Sequence, residues 1–434
     1  MKKNILICLE QLGIGGVETF VYNQINYFIN KNCNVYVLAK DGIYSSKLKE
    51  MGVKIYNFDY KLIDNYDEDN ILFVNNIIKS NKIDEIHIHQ YPCIMYVLPA
   101  IVENNVPYVA YVHSIVNDVF EWFMSHYQIY KNLFQIYFDN ANRIITITQN
   151  VKDNLVKTFN IKKEKVEIIN NCIDFNSIIV SDKVNSMSKF LIISRMADEK
   201  KVSIINSINL FKKYLEKKDA TLTIVGDGPI MNYIIKYVND DNLTNKVNFV
   251  GASNDTFKYI DESDIVLGID RCILEAICFK KVAIVSGYDG LKGIVDSSNI
   301  NKFFEENFSG NNFKNINEIN IIEKLSKIDI KTIVDGNYQF VKDNCNINDK
   351  DFFTKNNTIN YNNLKQFFII HKLYLDLVMK YNNDKNNYEE QLNKINLDKE
   401  LTEKNLQEVK SELNNVINSK RWKFVNKIFN IIKR

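Results

Sequence analysis

The run FLIIS (190–194), VSIINSINLFKKYL (202–215), TLTIV (221–225), GDGP (226–229) decides the fold. Two short β-rich apolar strands flank a segment with helical spacing, and a Gly-containing turn opens the next helix with Pro229 near its start. Strand–helix–strand of this length is a parallel crossover, and the pattern continues outward. Downstream come the helix IMNYIIKYV (230–238), the strands VNFV (247–250) and DIVLG (264–268), the helix ILEAICF (273–279) and the strand VAIVS (282–286). Upstream, NILICL (4–9), NVYVLA (34–39), VKIYNF (53–58), EIHIH (85–89), YVAYV (108–112), RIITIT (143–148) and VEII (166–169) alternate with amphipathic stretches such as VETFVYNQINYFI (17–29) and ILFVNNIIKS (71–80). A polar interval over 174–188 lacks periodicity, which puts a domain boundary near residue 183. Two α/β domains follow, with a cleft expected at the carboxyl ends of both sheets.

At 434 residues the chain is long enough for two ordinary cores. A formal net charge of +2 gives no reason to expect a nucleic-acid partner. The seven cysteines form no CxxC pair, so unlinked thiols in a reducing cytosol are expected, with no disulfide framework or zinc site. MKKNILICLEQLGIGG reads as a first strand, since its apolar run meets Glu10 after about six residues, too short for a signal peptide. No run approaches the roughly 18 apolar residues of a spanning helix.

Beyond Lys355 the character changes. LKQFFIIHKLYLDLVMKY (364–381) is apolar on nearly every face and reads as a helix over 356–382 packed on the body. A heptad seam then runs through Tyr381, Tyr388, Ile395, Thr402, Val409 and Val416, with Leu392, Lys399, Leu406 and Leu413 beside it. Lys399 and Thr402 interrupt it, so 383–418 is expected to be a short coiled-coil-like helix. The last sixteen residues, SKRWKFVNKIFNIIKR, hold six Lys or Arg and no acid, with Trp422, Val425, Phe429 and Ile432 on one helical face. That is the profile of a helix (419–434) lying in a membrane interface, so a cytoplasmic protein peripheral on the inner face of the membrane is expected.

Several positions carry chemistry. Arg195 and Lys200 in SRMADEKK offer a planar fork and a point charge for a diphosphate. Gly15 and Gly16 end a strand and open a helix, so backbone N–H groups can approach a phosphate or sugar. Gly226 belongs to a turn whose main role is structural, and it is also a candidate donor contact. Glu275 is a carboxylate near a sheet end, and His113 terminates the strand YVAYV at the expected cleft. His87 and His89 share one face of EIHIH but lack the Cys or carboxylate neighbours of a metal site.

The order of GGVE (15–18), IINNCID (168–174), SRMADEKK (194–201), VGDGP (225–229) and LEA (274–276) resembles the retaining glycosyltransferases of family 4, whose fold is GT-B. The resemblance spans roughly residues 1 to 345, and GYDGLKGIVDSSN (287–299) with FFEENFSG (303–310) resembles a subset of that family. It implies two Rossmann-like domains facing across a cleft, an acceptor-side domain over 1–182 and a nucleotide-sugar-binding domain over 183–355, followed by the helical extension. It implies that Arg195 and Lys200 neutralise the donor diphosphate, that Glu275 accepts from the ribose hydroxyls and that His113 contacts the transferred sugar. No metal or other cofactor is expected; the nucleotide-diphosphate sugar is a substrate.

One departure stands out. The family usually carries two glutamates separated by seven residues, and eight residues before Glu275 this chain has Leu267. Asp270 or Arg271 is expected to take over contacts to sugar or phosphate, with Arg271 as a further diphosphate ligand. The reading is therefore a transferase moving a sugar to an acceptor hydroxyl of a glycan or lipid-linked acceptor in cell-surface polysaccharide or glycolipid synthesis. Leaving-group stabilisation would do most of the work, and no carboxylate pair is placed for double displacement. The alternative is a catalytically inactive scaffold that binds a partner glycosyltransferase through its C-terminal helices, for which Leu267 is the support. An epimerase or phosphorylase lacks its expected signature here.

Overall fold

Short β-branched strands alternating with amphipathic helices leave the backbone one economical arrangement, a parallel sheet with helices on both faces. The computed structural model describes residues 2–13, 15–60, 68–115, 128–181, 186–253, 255–355, 361–419 and Lys423. Its first sheet contains β1 (Asn4–Gln11), β2 (Asn34–Lys40), β3 (Lys54–Asn57), β4 (Glu85–Ile88), β5 (Tyr108–Val112), β6 (Arg143–Thr146) and β7 (Val166–Ile168) in the order β3-β2-β1-β4-β5-β6-β7, parallel throughout. The second contains β8 (Lys189–Ile193), β9 (Thr221–Val225), β10 (Val247–Gly251), β11 (Ile265–Gly268), β12 (Val282–Gly287) and β13 (Gly290–Ile294), ordered β10-β9-β8-β11-β12-β13.

Both sheets reverse strand order between their first and fourth strands, β1/β4 and β8/β11. That places a crevice at the carboxyl ends of β1, β4, β8 and β11, the usual ligand position in open α/β sheets. The central strands are buried: Ile5, Leu6 and Ile7 on β1 and Val266 and Leu267 on β11 are 0% exposed.

Two features differ from the sequence reading. The segment GYDGLKGI forms a hairpin, with β13 antiparallel to β12. Gly290 sits at φ +152, a conformation that L side chains rarely adopt. Residues 346–355, assigned on sequence to the second domain, return to the first. Ile347 and Phe352 are buried in the first core, and Arg143 donates to the carbonyls of Asp351 and Phe353.

Residues 362–434 form a second compact unit. One continuous helix runs Tyr361–Asn418, through the expected junction at 382. No Gly or Pro occurs after Gly336, so nothing in the chain breaks it. Leu392, Ile395, Leu406, Val409 and Leu413 are exposed along it. The expected basic helix over 419–434, with Trp422, Val425, Phe429 and Ile432, lies outside the described residues apart from Ser419 and Lys423. Among the described residues no helix is long and apolar enough to cross a membrane, and all seven cysteines are free.

Candidate functional site

The loop after β8 carries Arg195 and Lys200, and the GDGP turn fixes it. Gly226 lies at φ +138, and a Cβ there would come 1.8 Å from the Ser194 carbonyl oxygen. Only a glycine lets the two loops approach this closely. Ser194 N–H donates to Val225, and Met196 N–H to Asp227. Lys200 is thereby held inside the cleft, its side chain 16% exposed. Its ammonium donates to Asp270 Oδ2 at 3.1 Å and to the Tyr288 hydroxyl at 2.8 Å. Burial works against that charge, yet Asp270 and Tyr288 more than offset it and hold the Lys200 pKa above the usual lysine value. Arg195 is far more open, at 65% side-chain exposure, with its guanidinium resting on Glu199 four residues on.

Opposite lies the β11 crossover. Leu267 is 0% exposed, inside β11 and part of the hydrophobic core. β11 ends at Gly268 and the next helix begins at Arg271, so the connection is only Ile269 and Asp270. Asp270 makes this tight turn at φ +59, ψ −131, a region costly for a residue with a Cβ. Its N–H donates to Phe308 O at 3.2 Å.

The helix Arg271–Cys278 then supplies Arg271 and Glu275 on one face, four residues apart. Arg271 Nε donates to Glu275 Oε1 at 2.7 Å, and Nη2 reaches the Cys172 carbonyl of the first domain at 3.4 Å. Nη1 is buried with no hydrogen-bond partner among the described residues. Glu275 is 5% exposed. Burial pushes its carboxyl pKa up, with Arg271 pulling the other way.

On the first domain, Gly15 and Gly16 stand at the start of the helix Gly16–Asn30. Gly15 has an extended backbone (φ 176), and a Cβ there would come 2.3 Å from Glu18 Oε2, so the Glu18 side chain would have to shift. Glu18 is folded back against this loop, and burial raises its carboxyl pKa. His113, just past β5, is half-buried, with Nε2 3.0 Å from His89 Nδ1.

A cleft of about 700 Å³ brings these side chains together. Gly15, Gly16 and His113 line it from the first domain. Arg195, Lys200, Gly226, Asp270, Arg271 and Glu275 line it from the second. Sequence reasoning assigned no role to Tyr288, Glu306, Asn307, Ser309 or Asn311, which also line it. The last four form a loop in which Asn307, Phe308 and Gly310 take positive φ. Asn171 donates to Asn307 Oδ1 at 2.7 Å across the two domains. FFEENFSG was the signal for this loop, and its fold around buried Phe303 and Phe308 is what no motif conveys. Among the described residues no group of three or more His, Cys, Asp or Glu side chains is placed to hold a metal ion.

Chemically, three cations face the cleft around a buried carboxylate, with glycine-bounded backbone opposite. Such a site can hold a small polyanion carrying hydroxyl groups.

Comparison with known proteins points the same way. Residues 14–177 match the model of Glycosyltransferase Family 4. A Campylobacter jejuni protein, N-acetylgalactosamine-N,N'-diacetylbacillosaminyl-diphospho-undecaprenol 4-alpha-N-acetylgalactosaminyltransferase, is 27% identical over 133 residues. That match covers 30% of this chain and 35% of the relative, so about a third of the curated protein's length is spanned. Among solved structures, Anabaena HepE in complex with UDP-glucose aligns with a TM-score of 0.59 at 16% identity, over 79% of this chain and 95% of its own. A glycosyltransferase from Rickettsia africae aligns with a TM-score of 0.57 at 16% identity, over 80% and 95%. These similarities establish the shared two-domain fold.

Proposed function

We propose that this family 4-like chain of GT-B fold is a retaining glycosyltransferase that moves a sugar from a nucleoside-diphosphate sugar to an acceptor hydroxyl in glycan or glycolipid synthesis. The observation that carries this reading is Arg271 Nη1, a buried guanidinium nitrogen without a partner beside Glu275 in a cleft that also holds Lys200. A buried donor of this kind is costly unless a ligand completes it. A diphosphate does so, while Glu275 accepts from the ribose.

In the reaction, the bond between the anomeric carbon and the diphosphate oxygen breaks, and charge accumulates on the leaving phosphate. Lys200, Arg195 and Arg271 face that charge and are worth most in the partly dehydrated cleft. The acceptor oxygen bonds to the anomeric carbon, and its proton passes to the departing diphosphate. Gly15 and Gly16 line the same cleft and offer backbone N–H groups to it, and His113 meets the sugar.

The UDP-glucose complex of HepE and the polyprenyl-diphosphate acceptor in the Campylobacter relative's name favour a uridine-linked donor and a lipid-linked acceptor for this chain. Residues 383–434 fit that acceptor as an attachment segment, a heptad seam for a partner and a basic end for an anionic surface, where each Lys or Arg contributes about 1 kcal/mol. The inactive-scaffold alternative rests on the absent first glutamate, and nucleotide binding without sugar transfer would identify it.

The test is a thermal-shift panel of nucleoside diphosphates on wild type and on the Arg195→Ala/Glu275→Ala double variant. Stabilisation of about 2.7 kcal/mol is expected at a hundred times Kd, selective for one base and lost in the variant. Stabilisation by none of the nucleotides would overturn the reading.

A further inference from the structure

His113 is the cleft end of a hydrogen-bonded chain that crosses the interior of the first domain. Period-2 alternation puts Glu85, His87 and His89 on one face of the β4 segment, and Tyr111 and His113 on one face of the β5 segment. Gln24, fully buried on the helix Gly16–Asn30, bridges them. Glu85 Oε1 is 2.8 Å from His87 Nε2, and His87 Nδ1 is 2.9 Å from the Tyr111 hydroxyl. Gln24 Nε2 donates to that hydroxyl at 2.6 Å, and Gln24 Oε1 is 2.9 Å from His89 Nε2. His89 Nδ1 is 3.0 Å from His113 Nε2.

The proton on each bond follows from its neighbour. Glu85 also takes Lys3 Nζ and both donors of Thr354. Burial alone would raise its pKa, but His87, Lys3 and Thr354 bring it down to about 2, so the carboxylate accepts. His87 therefore donates through Nε2, and its Nδ1 takes the Tyr111 hydroxyl proton. With that proton committed, the hydroxyl oxygen takes the Gln24 amide N–H, which turns the amide oxygen toward His89. His89 must carry its proton on Nε2, and burial keeps the ring neutral, so its Nδ1 is an acceptor. His113 must then donate from Nε2. Phe20, 5.1 Å from the His113 ring, and the stacked Tyr111, 4.1 Å from His89, hold the rings in place.

We propose that this carboxylate-anchored chain fixes His113 in one tautomer, with Nδ1 presented as a bare acceptor to a hydroxyl of the transferred sugar. Glu85, His87, Tyr111, Gln24 and His89 are positioning residues, since none of them lines the cleft. Burial lowers the His113 pKa to about 3, so the ring stays an acceptor across the physiological range and does not act as a general acid. The same chain can run in one other sense. A doubly protonated His87 would flip the Gln24 amide and move the His113 proton to Nδ1, turning the acceptor into a donor.

Long-range proton–nitrogen correlation spectra of the ligand-free chain labelled at histidine nitrogen separate the two. The expected result is the Nε2–H tautomer at His87, His89 and His113. An Nδ1–H or doubly protonated His113 overturns the proposal. In Tyr111→Phe the amide loses the hydroxyl that orients it, and His113 is expected to become a mixture of tautomers. A pure Nε2–H form there would show that the chain does not set the tautomer. The sugar assignment rests on the transferase reading and has its own arm, a panel of UDP-hexoses against UDP. At least one UDP-hexose is expected to shift His113 Nδ1 where UDP does not. A panel that binds without moving Nδ1 overturns the sugar assignment. Absence of any nucleotide binding instead overturns the donor-site reading and leaves the tautomer result standing.

Discussion

Replacing Arg271 with methionine removes the guanidinium from a buried pair and leaves Glu275 in place, 5% exposed. Breaking such a pair from one side costs about 3–5 kcal/mol, because the remaining charge is buried without compensation. For a domain of this size that is a Tm loss of order 10 °C. The cost has a pH signature. Burial already raises the Glu275 carboxyl above its unfolded value against the opposing pull of Arg271, and removal of Arg271 raises it further. An acid with a raised folded pKa binds its proton more tightly in the native state. The penalty is therefore absent below the unfolded value near 4.5, grows as pH climbs toward the raised folded value, and is flat above it. Urea unfolding at pH 4 and pH 8 should show the variant approaching wild type at the acid end and separating at the alkaline end. The double variant Arg271→Met/Glu275→Leu should recover most of the loss, since an apolar pair of similar volume leaves no charge buried. A penalty independent of pH, or a double variant no better than the single one, would refute the account.

Asp270→Asn removes the carboxylate that competes with a phosphate for Lys200. Titration calorimetry is expected to show tighter nucleoside-diphosphate binding, by about two- to fivefold for a partly exposed pair. Weaker binding would mean that Asp270 itself holds the ligand. Gly226→Ala forces a Cβ to within 1.8 Å of the Ser194 carbonyl at φ +138, and a loss of about 1–3 kcal/mol is expected in thermal unfolding. Gly336→Ala, inside the helix Ile330–Cys345 with nothing within 4 Å of the new methyl, should instead gain about 0.5–1 kcal/mol. Leu406→Asp in the exposed heptad seam should lower the sedimentation mass of the full chain, while an unchanged mass would show that the seam joins no second copy.

The two sheets were legible because period and length are local properties. NILICL or VAIVS is short, β-branched and bounded, and a chain with twelve such segments separated by helical stretches has few ways to cover them. The hairpin at β13 was less legible, since GLKGI is too glycine-rich to read as a strand until Gly290 is seen to turn the chain back onto β12. The cleft residues were legible through order: Arg195, Lys200 and Glu275 lie in the segments that follow β8 and β11, and strand ends at a switch point converge whatever lies between them. Counting backward from Glu275 reaches Leu267, a buried residue of β11, and only Ile269 and Asp270 connect that strand to the helix carrying Glu275. The pairing of Arg271 with Glu275 at four residues was readable from helical spacing. The unpartnered Nη1 was not, because it depends on where the Cys172 carbonyl of the other domain ends up. His87 and His89 show the same limit. Their alternation placed them on one face, but their role comes from Gln24, more than sixty residues earlier in the chain. A metal reading and a hydrogen-bond chain call for the same two histidines, and what separates them is the third residue that the fold brings between: an amide selects the hydrogen-bond chain.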